Sequence, residues 1–177
     1  MTKPIRKKKE INRTKLIMCE GVSDRAFIER LKILYHVRNC GFSVRLDDAG
    51  GGGPKSAILA AINSYGSFDK KYVFIDSDIP IPVDAKSAAR NHGIIILQST
   101  PWCLEGMLLK IMGHAGEIRD PQHAKDIMFK KYKLVNVVHQ AWYDENISEK
   151  IVNEVISSKK HCCCDIISNV VNSLSRF

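Results

Sequence analysis

No apolar run in this chain approaches the roughly 18 residues of a membrane span, and its opening is too charged for a secretory signal. The six cysteines form no disulfide framework. Cys19 and Cys40 sit in or beside apolar segments, where free cysteine behaves as a small hydrophobe. Cys162, Cys163 and Cys164 are consecutive behind His161, and they lack the second, distant pair that a zinc site wants. The histidines show no metal-ligand spacing, and no nucleophile elbow appears. None of Tyr35, Tyr65, Tyr72, Tyr132 and Tyr143 has the local signature of a covalent nucleophile. Repeats and low-complexity segments are absent as well. These absences leave a protein expected in a reducing cytoplasm, with no membrane partner.

One shortage is of acidic charge. The 177 residues carry 27 Lys+Arg against 19 Asp+Glu, a net charge of +8, with a pI near 9.2. Such a balance favours a polyanionic partner such as nucleic acid. The excess is local. Lys3, Arg6, Lys7, Lys8, Lys9, Arg13 and Lys15 face only Glu10 in the opening segment. Residues 1–12 therefore read as a basic flexible leader, either a solvated tail or an arm that tracks phosphates through Lys7, Lys8 and Lys9. The length suits one domain with a real core.

The scarce acids are placed tellingly. Lys15-Leu16-Ile17-Met18 reads as a buried strand and runs into Cys19-Glu20-Gly21-Val22-Ser23-Asp24. Lys71-Tyr72-Val73-Phe74-Ile75 reads as another and runs into Asp76-Ser77-Asp78. Ligands of open α/β sheets bind outside the carboxyl ends of the strands. Like charges gathered there repel, and a divalent cation relieves the repulsion. A continued strand pattern would point Asp76 and Asp78 the same way. Gly21 permits a tight turn after Glu20. Ser23 is expected to cap the helix that follows, with Asp24 in its first turn. Glu105 opens a later helix after Thr100-Pro101 and belongs to the same edge.

Four strands are expected near Lys15–Cys19, Phe42–Leu46, Tyr72–Ile75 and Ile94–Leu97. Helices lie between them, at about Ser23–Val37, Pro54–Tyr65 and Asp84–Asn91. After Pro101 the pattern is helical, with segments near Trp102–Met112, Pro121–Tyr132, Val135–Tyr143, Ser148–Ile156 and Asp165–Leu174. This alternation predicts an α/β fold with a parallel sheet covered on both faces. The glycine run Gly50 to Gly53 is not a P-loop, because Pro54 separates Gly53 from Lys55. It reads as a substrate-side loop, with Lys55 at a helix start where it can touch phosphate.

A hydrophobic strand ending in Glu20-Gly21, then Ser23-Asp24, then a later strand ending in Asp76-Ser77-Asp78, resembles the TOPRIM domain. That domain occurs in topoisomerases, primases, recombination mediators and OLD-type nucleases. With the later Pro101-x-x-Leu104-Glu105 segment, the pattern is most similar to the small OLD-like and RloB-like nuclease branch. The resemblance covers residues 13–112 and implies a four-stranded parallel sheet between helices. Residues 113–177 would be a helical extension packed on the same domain, and they match nothing within that family.

The resemblance implies that Glu20, Asp76 and Asp78 bind Mg²⁺ or Mn²⁺, with Asp24 helping to hold a second ion and Glu105 beside it. It implies a metal-dependent nuclease acting on DNA or RNA, in which Glu20, Asp76 and Asp78 carry the catalysis and Glu20 can alternatively serve as acid or base. The Lys159-Lys160 region would join the leader in tracking the backbone. The chain lacks the ATPase region of a full OLD protein and the extra domains of a topoisomerase. A homodimer is admitted by this reading. Two other readings stand open. One is a non-catalytic TOPRIM module that binds nucleic acid or a partner. The other is a nucleotide-sugar transferase, which also uses Asp-x-Asp to hold Mn²⁺, but that leaves Glu20-Gly21 unexplained.

Overall fold

Short apolar runs become strands here, and the two central ones are buried on both faces while the outer two are partly exposed. In the computed structural model, which describes residues 13–134 and 137–177, the chain alternates strand and helix. The order is β1 (Arg13–Cys19), α1 (Val22–Tyr35), β2 (Phe42–Asp48), α2 (Gly53–Asn63), β3 (Lys70–Ile75), α3 (Val83–Asn91) and β4 (Ile94–Gln98). Five helices follow: α4 (Leu104–Ile111), α5 (Pro121–Tyr132), α6 (Gln140–Asn146), α7 (Glu149–Ser157) and α8 (Cys164–Ser175). The four strands form one sheet in the order β2-β1-β3-β4, and every pairing is parallel. The expected α/β class with a helical C-terminal part is what the chain forms.

Side chains alternate across the sheet, and the sheet separates two cores. Ile17, Cys19, Phe42, Val44, Tyr72, Phe74 and Leu97 face the larger one, which α1 and the helices from α4 to α8 complete. Leu16, Met18, Val73, Ile75 and Ile94 face a thinner layer made by α2 and α3. The chain leaves β1 toward β2 on one side and returns past β1 to reach β3 on the other. The gap between the ends of β1 and β3 is therefore the topological switch point, the crevice where open α/β sheets bind ligands. Glu20 and Asp76 are the first residues beyond those two ends.

Several local expectations are corrected. Gly21, not Ser23, is the N-cap of α1, with extended backbone. Asp24 then falls at the third helical position and its Oδ2 accepts the Gly21 N–H at 3.0 Å. The acid caps the helix from within, a job the sequence reading gave to the serine. β2 runs two residues beyond Leu46, through Asp47 and Asp48, because its ladder to β1 continues to Cys19. The late segment begins its helix only at Gln140, and Val135 lies outside the described residues.

Lys15 is fully buried in β1. Its ammonium donates to the carbonyls of Ser173, at 2.6 Å, and Arg176, and lies over the Phe42 ring. Cations favour helix C-termini, so this lysine ties α8 to the central sheet. No described helix is long and apolar enough to cross a membrane.

Candidate metal and phosphate site

The end of β1 is locked to its neighbours before any side chain acts. The Glu20 N–H donates to the Phe74 carbonyl at 2.9 Å, and the Glu20 carbonyl accepts from Gly51 at 2.9 Å. Ala49 likewise donates to Cys19 at 3.0 Å. These bonds pull the glycine loop over the switch point. Gly50 to Gly53 all have positive φ, between 71° and 92°. Only glycine enters that region at no steric cost, which is why four in a row make this loop.

A pocket of about 380 Å³ opens there. Glu20, Asp24, Asp76 and Glu105 line it, with Gly50, Gly51 and Lys125 among its other walls. The Glu20 carboxylate accepts the Asp76 N–H at 3.4 Å, so the two strand ends do meet. Asp76 Oδ1 accepts from Ser99 Oγ at 2.7 Å and from the Leu104 N–H at 2.9 Å. Asp76 therefore binds the start of α4, and Glu105, 9% exposed, is carried in by that helix's first turn. Gly106 permits the approach, since a Cβ there would lie 2.3 Å from the Pro101 carbonyl oxygen.

The electrostatics are adverse without a cation. Burial pushes the Asp76 carboxyl up to about 6, against the Ser99 hydrogen bond, and the charges of Glu105, Glu20 and Asp78 add to the rise. Asp24 is 6% exposed. Burial raises its carboxyl well above the usual range, and Asp76, Glu20 and Glu105 reinforce this while the Gly21 N–H opposes it. Burial also raises Glu20, with the Asp76 N–H opposing and Asp78 adding. Asp24 Oδ1 is buried with no hydrogen-bond partner among the described residues. Such an orphan oxygen costs about 1–3 kcal/mol or more if left unmet. An all-oxygen, anionic donor set with one unmet buried carboxylate oxygen suits a hard divalent cation.

The expected residues do not all behave alike. Glu20, Asp24, Asp76 and Glu105 share the pocket. Asp78 is exposed and outside the pocket lining, because β3 ends at Ile75 and the alternation does not continue through the aspartates. Its charge still reaches Glu20 and Asp76. Lys55 is exposed and paired with Asp84 at 2.6 Å, outside the pocket. Lys7, Lys8 and Lys9 lie outside the described residues. Lys125 of α5 is the pocket residue that sequence reasoning missed. Nothing local marks it, since only the packing of α5 on α4 brings it to the acids.

The closest set of three potential ligand groups lies elsewhere. Among the described residues, only His161, Cys162 and Cys163 bring three such atoms within 4.8 Å of one another. The pocket acids are thus spread around a cavity, and no three of them meet at one point. At the cysteine cluster the His161 Nδ1 already accepts the Cys163 N–H at 3.1 Å, and Nε2 lies 3.2 Å from the Lys110 carbonyl. Cys163 Sγ donates to the Thr100 carbonyl, and burial pushes its thiol well above the usual range for cysteine. That group reads as packing.

Comparison with known proteins returns no matching family model, no matching curated protein and no matching solved structure.

Proposed function

We propose that this protein is a metal-dependent phosphodiesterase of the TOPRIM type, cutting nucleic acid at the pocket between β1 and β3. The observation that carries the reading is the buried, unpartnered Asp24 oxygen facing a set of mutually repelling carboxylates at the switch point. Glu20, Asp24, Asp76 and Glu105 would hold Mg²⁺ or Mn²⁺, with Asp78 at the open rim. Divalent cations bound there would neutralise phosphate charge and activate a water for in-line attack.

The chain's own groups supply the rest. Asp76 is fixed by Ser99 and Leu104, so its second oxygen is presented without rotational freedom. Glu20, held against the Asp76 N–H, has a carboxyl raised by burial, the direction that suits an acid or base role. Lys125 supplies the pocket's positive charge and is placed to pair a phosphate oxygen. The basic surplus of the chain favours a long polyanion over a small phosphate ester.

The test is a cleavage screen over single- and double-stranded DNA and RNA, with Mg²⁺, Mn²⁺ or EDTA. Cleavage that needs the metal and is lost in Asp76→Asn is the expected result. A metal that stabilises the fold while no substrate is cut would instead favour a binding module. Binding of a nucleoside diphosphate sugar would favour the transferase.

A further inference from the structure

Trp102 is not part of the pocket lining, but its backbone carbonyl bonds the residue after Asp76, in an arrangement that the acid pocket does not explain. The residue is 41% exposed. Its backbone has φ 64°, a left-handed conformation uncommon for a large residue and concentrated at functional sites. The conformation is held on three sides. The indole N–H donates to the Ile118 carbonyl at 2.9 Å. The Trp102 carbonyl accepts from the Ser77 N–H at 2.9 Å and lies 3.3 Å from Ser77 Oγ. Two residues on, the Leu104 N–H binds Asp76. Trp102 is thus tied to Ser77, the residue after Asp76, and lies two residues before Leu104, whose N–H binds Asp76.

The other exposed aromatics lie elsewhere. Tyr65 precedes β3 and so belongs to the amino edge of the sheet. Phe177 packs on Phe42, at the start of β2. Phe129, one turn beyond Lys125 on α5, is outside the pocket lining. Only Trp102 is fastened to the acid pocket's own backbone.

An indole whose N–H is already satisfied offers only its flat face to a ligand. It therefore stacks and does not read hydrogen-bonding edges, as a base platform does. A base can lie on it only after leaving its duplex partner. Resting on the nuclease reading above, we propose that the site takes an unpaired strand, with the nucleobase next to the scissile phosphate stacked on Trp102. Lys125, in the pocket lining, would then hold the phosphate.

The experiment uses the full chain with Trp142→Phe, which leaves Trp102 as the sole indole. Titration with a short single-stranded oligonucleotide should quench its fluorescence to saturation, and the matching duplex should not. In the Asp76→Asn background, which prevents cleavage, Trp102→Ala should weaken single-strand binding by about 5- to 150-fold. Trp102→Phe should keep most of the affinity at the same melting temperature. An oligonucleotide abasic at the flanking position should bind the Ala and parent forms equally.

Equal binding of single strand by Trp102→Ala and parent overturns the inference even if the protein cleaves. Quenching and the Ala loss without any cleavage uphold the subsite and remove the nuclease reading. Absence of any nucleic-acid binding overturns both.

Discussion

Replacing Asp76 by asparagine removes one charge and little else. The side-chain oxygen can still accept from Ser99 and from Leu104, so α4 stays capped and Glu105 stays in place. The folded carboxyl titrates near 6 against an ordinary 3.8. A folded value raised in this way gives stability that is fully present below the unfolded value and is lost as pH rises through the folded one. At neutral pH the ionised group therefore costs up to about 3 kcal/mol without metal. The pocket is open to solvent, so about 1–3 kcal/mol is the working figure. Asparagine relieves that cost. Differential scanning calorimetry in EDTA at pH 7.5 should show the melting temperature rise by roughly 2–12 °C. Added Mg²⁺ should stabilise the parent by binding the folded form and should stabilise the variant much less. Cleavage in Mg²⁺ should fall at least about 100-fold, since a lost charged ligand removes several kcal/mol of transition-state stabilisation. A variant that melts lower than the parent in EDTA would show that Asp76 is a structural anion. One that cleaves equally would remove Asp76 from the chemistry.

Three further outcomes are expected. The metal-free parent should melt higher at pH 5 than at pH 7.5, because Asp76, Glu20 and Asp24 all titrate upward of their usual range, and saturating Mg²⁺ at pH 7.5 should close that gap; a flat profile in EDTA would contradict the repulsion argument. Gly106→Ala should lose about 1–3 kcal/mol in urea denaturation, because its Cβ would drive α4 off the Pro101 carbonyl; an unchanged midpoint would contradict the packing. Deleting residues 1–10 should weaken nucleic-acid binding and flatten its salt dependence, whereas an unchanged salt slope would make the leader an ordinary tail.

The two central strands were legible because short apolar runs, Leu16–Cys19 and Tyr72–Ile75, ended abruptly in acids, and that same signal located Glu20 and Asp76. What stayed hidden depended on partners far along the chain. Lys15 was counted in the basic excess of the opening segment although it heads the first expected strand; that its charge is buried depends on carbonyls near the end of α8, which receive its ammonium. Lys55 looked like a phosphate contact, yet Asp84, brought alongside by α2–α3 packing, engages it. Asp78 failed as an inward group because strand periodicity stopped one residue before Asp76, which no local rule announces. Lys125 and Trp102 reach the site through α5 and the turn before α4, and their neighbours in sequence give no sign of it.

The unequal division of the interior has a dynamic consequence. The layer of α2 and α3 closes over a thin apolar seam, while α1 and the later helices lock a thick one. Amide hydrogen exchange should therefore spread in time, with α2 and α3 opening well before global unfolding and β1, β3 and α1 exchanging last. The acids of the pocket all hang from the slow side, on β1, α1, β3 and α4. Only the glycine loop belongs to the fast side. The chain can thus loosen one wall of its cleft without letting go of the carboxylates.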